Sequence, residues 1–121
     1  MLVVKSREVE AYPLEGIEGV RVKYLLHAGL GAKRIQLRIF ILDVGASTPL
    51  ERHAHEHEVF ILKGNLLIHS GSEEVEVEAG DAIFIPSYET HQLKNIGDTP
   101  AEFLCTKETS EIPEILRKNQ S

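Results

Sequence analysis

The sequence holds a single cysteine, Cys105, so no internal disulfide can form. That count excludes a disulfide-stapled scaffold and fits a reducing compartment. No apolar run exceeds the length of a strand, so neither a signal peptide nor a membrane-spanning helix is expected, and a cytoplasmic location is the default. Positive charge is the scarcer sign, with 13 Lys and Arg against 19 Asp and Glu and a formal net charge of -6. Nucleic-acid binding rests on neutralising phosphates with Lys and Arg, so a nucleic-acid partner is disfavoured. Low-complexity tracts, solenoid repeats and Pro/Ser-rich linkers are missing. So are a Ser-x-Gly elbow and a Cys-x-x-Cys pair, and Gly29-Leu30-Gly31 lacks the rest of a dinucleotide fingerprint.

What is present suits one globular domain over residues 1–121. Apolar residues make up 42% and charged residues 26% of the chain. The dominant period is two. Val20, Val22, Tyr24 and Leu26 alternate with Arg21, Lys23 and Leu25. Ile35, Leu37, Ile39 and Ile41 alternate with Gln36, Arg38, Phe40 and Leu42, and Val75 and Val77 alternate with glutamates. Such alternation predicts half-buried strands, although it leaves open whether Ile39 or Phe40 faces inward. The runs at 59–62 and 82–85 are almost wholly apolar and read as strands covered on both sides. Another strand is expected at 102–106. Turn signals at Gly45, Gly64-Asn65, Gly71, Gly80-Asp81 and Gly97-Asp98 punctuate the runs, giving an all-β sandwich or barrel. In the tail, Ile112, Ile115 and Leu116 have helical spacing behind a capping Ser110. A helix over 111–118 and a frayed terminus are equal alternatives.

Six histidines occur, three of them within E51-R-H-A-H-E-H-E58. Neutral imidazole is the commonest ligand for transition metals. Side chains two apart on a strand share a side, so Glu51, His53, His55 and His57 could converge. Taken alone, the cluster also fits a solvated loop that binds metal adventitiously.

The wider pattern resembles the cupin superfamily. Its first motif runs Gly, five residues, His-x-His, three or four residues, Glu, six residues, Gly. Here Gly45, Glu51, His53, His57 and Gly64 keep every interval. Glu51 stands where the first histidine is expected, and His57 stands where the glutamate is expected. The second motif appears as Gly80, Pro86, Tyr88, His91 and Asn95, with Tyr88 in place of a glycine. The resemblance covers residues 35–106. It implies an antiparallel β-barrel, or double-stranded β-helix of jelly-roll type, around one divalent metal held by Glu51, His53, His57 and His91. The exchange of two positions keeps three nitrogens and one oxygen, a set that suits Fe, Mn, Ni, Cu or Zn. A rival register uses His53-Ala54-His55 with Glu58, but it breaks two glycine intervals and needs an insertion in a strand pair. In the gapless register His55 is a surface histidine, or else faces the pocket behind the ligands.

Other residues receive plainer readings. His27 and His69 are isolated structural histidines, Glu56 and Glu58 are solvated, and Cys105 is a small core residue. Tyr88, at the barrel mouth by analogy, is a packing aromatic or a proton donor. By resemblance the chain is a metal-dependent enzyme on a small organic metabolite, oxygenase-, isomerase- or lyase-like. The alternatives are a non-catalytic cupin that binds or senses a small molecule or metal complex, and a barrel that the metal merely stabilises. A homodimer is also implied.

Overall fold

The computed structural model describes residues 1–118. Among these, nine strands run in chain order: β1 (Tyr12–Pro13), β2 (Val20–Leu26), β3 (Ile35–Leu42), β4 (His57–Lys63), β5 (Asn65–Ser70), β6 (Glu74–Glu78), β7 (Ala82–Ile85), β8 (His91–Asn95) and β9 (Ala101–Glu108). A five-residue helix, α1 (Glu114–Lys118), follows. Every strand pairing is antiparallel. One sheet has the order β1-β2-β3-β9-β4-β7 and the other β6-β5-β8. The two are hydrogen-bonded separately, so the expected barrel is an open jelly roll of two facing sheets.

Period-two patterning supplies the inner faces. Val20, Val22, Phe40, Leu42, Val59, Ile61, Phe103 and Cys105 from the larger sheet form one buried cluster with Leu66, Ile68 and Leu93 from the smaller. Phe40 and Phe103, paired across β3 and β9, stack with centroids 5.2 Å apart. Burying each large aliphatic side chain contributes about 1.5–3 kcal/mol. On β3 it is therefore Phe40, not Ile39, that faces the core. Ile39 is buried on the outer face opposite Lys23, whose ammonium donates to the Ser6 carbonyl at 2.9 Å.

Two motif positions show why the chain turns where it does. Gly64 joins β4 to β5 as the chain passes from one sheet to the other, with φ at 87°. A Cβ there would lie 3.0 Å from the Ala101 Cβ and 3.1 Å from its Cα. Asn95 is 1% exposed. Its amide donates to Leu42 O (3.0 Å) and Thr99 O (2.8 Å), and its Oδ1 accepts from Gly97 N. It thereby ties the β8–β9 turn to the end of β3.

The segment before β4 carries little regular structure yet is not loose. Thr48 N donates to Leu93 O, Asn95 N to Ala46 O, and Glu51 and His91 exchange both backbone bonds at 3.0 and 2.9 Å. This broken strand edges β8 and lengthens the smaller sheet.

Three expectations are corrected. The 59–62 and 82–85 runs are not covered on both sides. Val59, Ile61 and Ile85 point inward, whereas Phe60 (44% exposed) and Phe84 (56% exposed) lie on the uncovered outer face of the larger sheet. Val75, with inward parity, is half exposed because β6 is an edge strand with a partner on one side only. The helix starts at Glu114, not 111, since Pro113 disfavours helical backbone at Ile112 and its carbonyl accepts the first helical bonds. Ser110 therefore is not the cap. No helix among the described residues is long and apolar enough to cross a membrane.

Replacing Asn95 by Ala strands one buried N–H and two carbonyls, so Asn95→Ala is expected to cost on the order of 3 kcal/mol in denaturant unfolding. A loss below about 0.5 kcal/mol would show the knot to be dispensable.

Candidate metal centre

The site grows from the two ends of the broken strand. His57 opens β4 with the inward parity of Val59 and Ile61, and its backbone registers with Lys107 on β9 and Ile85 on β7. His91 opens β8 directly across from Glu51. His53 lies between, where its carbonyl accepts from Tyr88 N at 2.6 Å. The three rings form a nearly equilateral triangle, with centroids 5.3 to 5.5 Å apart. One ligand atom from each of His53, His57 and His91 lies within 4.8 Å of the other two.

Hydrogen bonding decides which nitrogens face the centre. His57 Nδ1 donates to Thr106 O at 3.1 Å, and His91 Nδ1 to Glu89 O at 2.9 Å. A carbonyl only accepts, so both rings carry their proton on Nδ1 and keep the Nε2 lone pair free. His57 Nε2 is buried with no partner. An orphaned buried acceptor costs roughly 1–3 kcal/mol, and a cation would satisfy it. His53 Nε2 and Glu51 Oε2 lie 2.6 Å apart, a hydrogen bond from the ring N–H to the carboxylate. Three imidazole nitrogens and an adjacent carboxylate fit a borderline divalent ion.

Burial pushes the His57 imidazole down to about 4, against the opposing pull of the Thr106 carbonyl, with Arg38 and the other histidines adding to the depression. His55 also falls to about 4, chiefly by burial, helped by His53, Lys107 and Arg38. Both rings are neutral near pH 7, the form that binds metal. Burial likewise lowers the Lys107 ammonium and raises the Cys105 thiol, which stays protonated.

Between the sheets the triangle opens on a cavity of about 170 Å³. Phe40, Val59, Leu93 and Phe103 wall its apolar side, and Glu51, the histidines, Arg38 and Lys107 its polar side. That is smaller than the roughly 300–1,000 Å³ typical of drug-sized ligands, so a small molecule fits it best.

All four residues expected from the sequence meet here, although Glu51 touches His53 and is not one of the three that converge within 4.8 Å. His55 is no surface residue. It lines the cavity, stacked on His53 at 4.5 Å and edge-on to His57 at 4.6 Å. The rival register fails at Glu58, which is exposed on the outer face of β4. Tyr88 lies outside the cavity at 58% exposure, under the Arg52 guanidinium, so it is a packing residue and no proton donor to the pocket. Its φ of 63° keeps the left-handed turn for which the motif uses glycine. His27 accepts from Gly29 N and His69 lies 3.6 Å from Glu74, both structural. Sequence reasoning missed Arg38 and Lys107. Their signal was parity: once Phe40 faces in, Arg38 faces in too, and Lys107 shares the side of Cys105.

For the metal-free protein a pH dependence follows. The His57 pKa is lower folded than unfolded, so its contribution is complete above about pH 6.5 and is lost as pH falls toward 4. A stability loss across that window is expected in denaturant titrations, and His57→Leu should make it shallower while leaving the share of His55, which is depressed in the same range. An unchanged slope in that variant would contradict the burial argument.

Known proteins resemble this chain in sequence and in fold. An uncharacterized protein of Methanocaldococcus jannaschii is 33% identical over 108 residues, 87% of this chain and 86% of that one. The oxalate-binding protein of Thermotoga maritima is 32% identical over 112 residues, covering 86% and 91%. Among solved structures, the polyketide cyclase RemF of Streptomyces resistomycificus superposes with a TM-score of 0.84 at 29% identity, covering 93% of this chain and 82% of its own. The cupin-domain family matches residues 38–107, more than half of the chain, and with the two facing sheets and the histidine triangle this places the protein in the cupin family.

Proposed function

We propose that this cupin holds one divalent transition metal with His53, His57, His91 and Glu51 and uses it to act on a small organic metabolite, as an oxygenase-, isomerase- or lyase-like enzyme. The observation that supports the reading is the buried, unpartnered Nε2 of His57 facing two further imidazoles across a small cavity. When bound, such an ion supplies Lewis-acid polarisation of a substrate oxygen or an open position for water or dioxygen. The rest of the work falls to the chain. Thr106 O and Glu89 O fix the tautomers of His57 and His91. Glu51 accepts the hydrogen bond of the His53 ring N–H and supplies one balancing negative charge. Phe40, Val59 and Phe103 exclude water, which strengthens every polar contact made inside.

A second reading, a carrier or sensor that binds without turnover, is favoured by one specific resemblance. A relative spanning most of this chain is named an oxalate-binding protein. Turnover separates the two readings. Elemental analysis should find about one divalent ion per chain in protein purified without added metal. Oxygen uptake or product formation across a panel of small diols, enols and acids supports the enzyme, and saturable binding without product supports the carrier. His53→Ala and His91→Ala are expected to lose the metal while His55→Ala keeps it. Metal retained by His91→Ala would sink the ligand assignment.

The homodimer belongs to the same proposal. Leu37, Phe60, Phe84 and Leu104 form an apolar depression on the outer face of the larger sheet, a surface that a second copy would cover. Light scattering should give twice the chain mass, and Phe60→Lys should halve it. A monomeric wild type at micromolar concentration would end that part of the proposal.

A further inference from the structure

Arg38 is a cation without a counter-ion in the wall of the cavity. Its guanidinium offers five N–H donors. Nε is enclosed and has no partner, and Nη2 reaches only Cys105 Sγ, a weak acceptor, at 3.3 Å. One face of the group lies over the Phe40 ring, 4.8 Å from its centroid, which leaves the donor edge free. Among the described residues no carboxylate is within ion-pairing distance of it. The one carboxylate of the cavity, Glu51, is taken by His53. Arg38 is half-buried, but an enclosed Nε without a partner carries a desolvation cost, and a purely structural position would be filled more cheaply by an apolar side chain. Lys107 lines the same cavity. Besides its histidines, the lining carries the two positive charges of Arg38 and Lys107 against the one negative charge of Glu51, in a chain whose formal net charge is -6. A concave, low-dielectric wall of the sign opposite to the rest of the molecule concentrates anions.

We propose that Arg38, with Lys107 beside it, is the specificity-determining residue for an oxyanion group on the small ligand of this cavity. The ligand class is thereby a small organic acid or phosphate ester, whose planar or tetrahedral oxygens match the guanidinium fork. This rests on the cavity being the ligand site proposed above and narrows what enters it. The arginine stem and its stacking on Phe40 hold the donor edge in place, so little ordering is lost when the anion arrives.

The test is calorimetric titration of the nickel-loaded protein with oxalate and, separately, with inorganic phosphate. Arg38→Met removes the charge and keeps the apolar stem. It is expected to keep the metal, to show an unchanged or higher thermal midpoint, and to bind the preferred anion about 10- to 100-fold more weakly. Arg38→Lys keeps the charge without the fork and should fall between. Tighter binding of oxalate assigns a carboxylate ligand, and tighter binding of phosphate assigns a phosphate ester. Equal affinity in wild type and Arg38→Met, or no saturable binding of either anion by the wild type, overturns the inference. If Arg38→Met does not fold, Arg38→Lys decides, and wild-type affinity there overturns the fork recognition. Failure of the wild type to retain nickel, iron, manganese, copper or zinc would instead refute the metal reading. The same titrations on the metal-free protein then test Arg38 alone, with salt-sensitive binding that vanishes in Arg38→Met supporting its role and binding indifferent to Arg38 overturning it.

Discussion

The pair of backbone hydrogen bonds between Glu51 and His91 is the constraint on which the rest depends. Those residues are forty positions apart, and one belongs to a segment with almost no regular structure. Once they are joined, with Thr48 and Ala46 bonded to Leu93 and Asn95 further along, the residues before β4 are fixed against β8. His53 then stands over the triangle whose other corners, His57 and His91, open their own strands. No long-range force between side chains is needed to gather the imidazoles. An ordinary antiparallel ladder does it, and its register is held by the inward parity of Leu93 below it and by the fully bonded Asn95 at its far end.

The interior that results is divided. One half is a close-packed apolar cluster with Leu42, Ile61 and Leu66 fully buried. The other half is a polar cavity in which a lone pair on His57 and the guanidinium of Arg38 lack full protein partners. Folding alone would select against both defects, because each raises the cost of the native state. Both face the same 170 Å³, where a cation and an anion arriving together would satisfy them. Two such defects facing one cavity are what a functional site is expected to show.

Much of this was legible along the chain. Glycine intervals placed the turns, and period two placed the strands. The spacing of Glu51, His53, His57 and His91 singled out the residues that meet. The exchange of Glu51 and His57 relative to the cupin pattern was visible too, and so was Tyr88 in a glycine position. That Tyr88 keeps a left-handed backbone, held by Arg52 and the His53 carbonyl, was not visible, because a one-letter code carries no dihedral angle. The apolar runs at 59–62 and 82–85 misled for a related reason. Composition cannot say whether a second layer covers a strand, and here the outer layer is missing over Phe60 and Phe84.

The sequence by itself determined the strands, their turns and which polar residues were available for chemistry, since these follow from side-chain volume, period and backbone freedom at neighbouring positions. Tertiary structure alone decided which parity of β3 points inward, and with it whether Arg38 or Leu37 enters the cavity. It also decided that His55 turns in. The physical reason is that inward and outward are properties of two sheets facing each other, and a strand acquires them only when its partner sheet is in place.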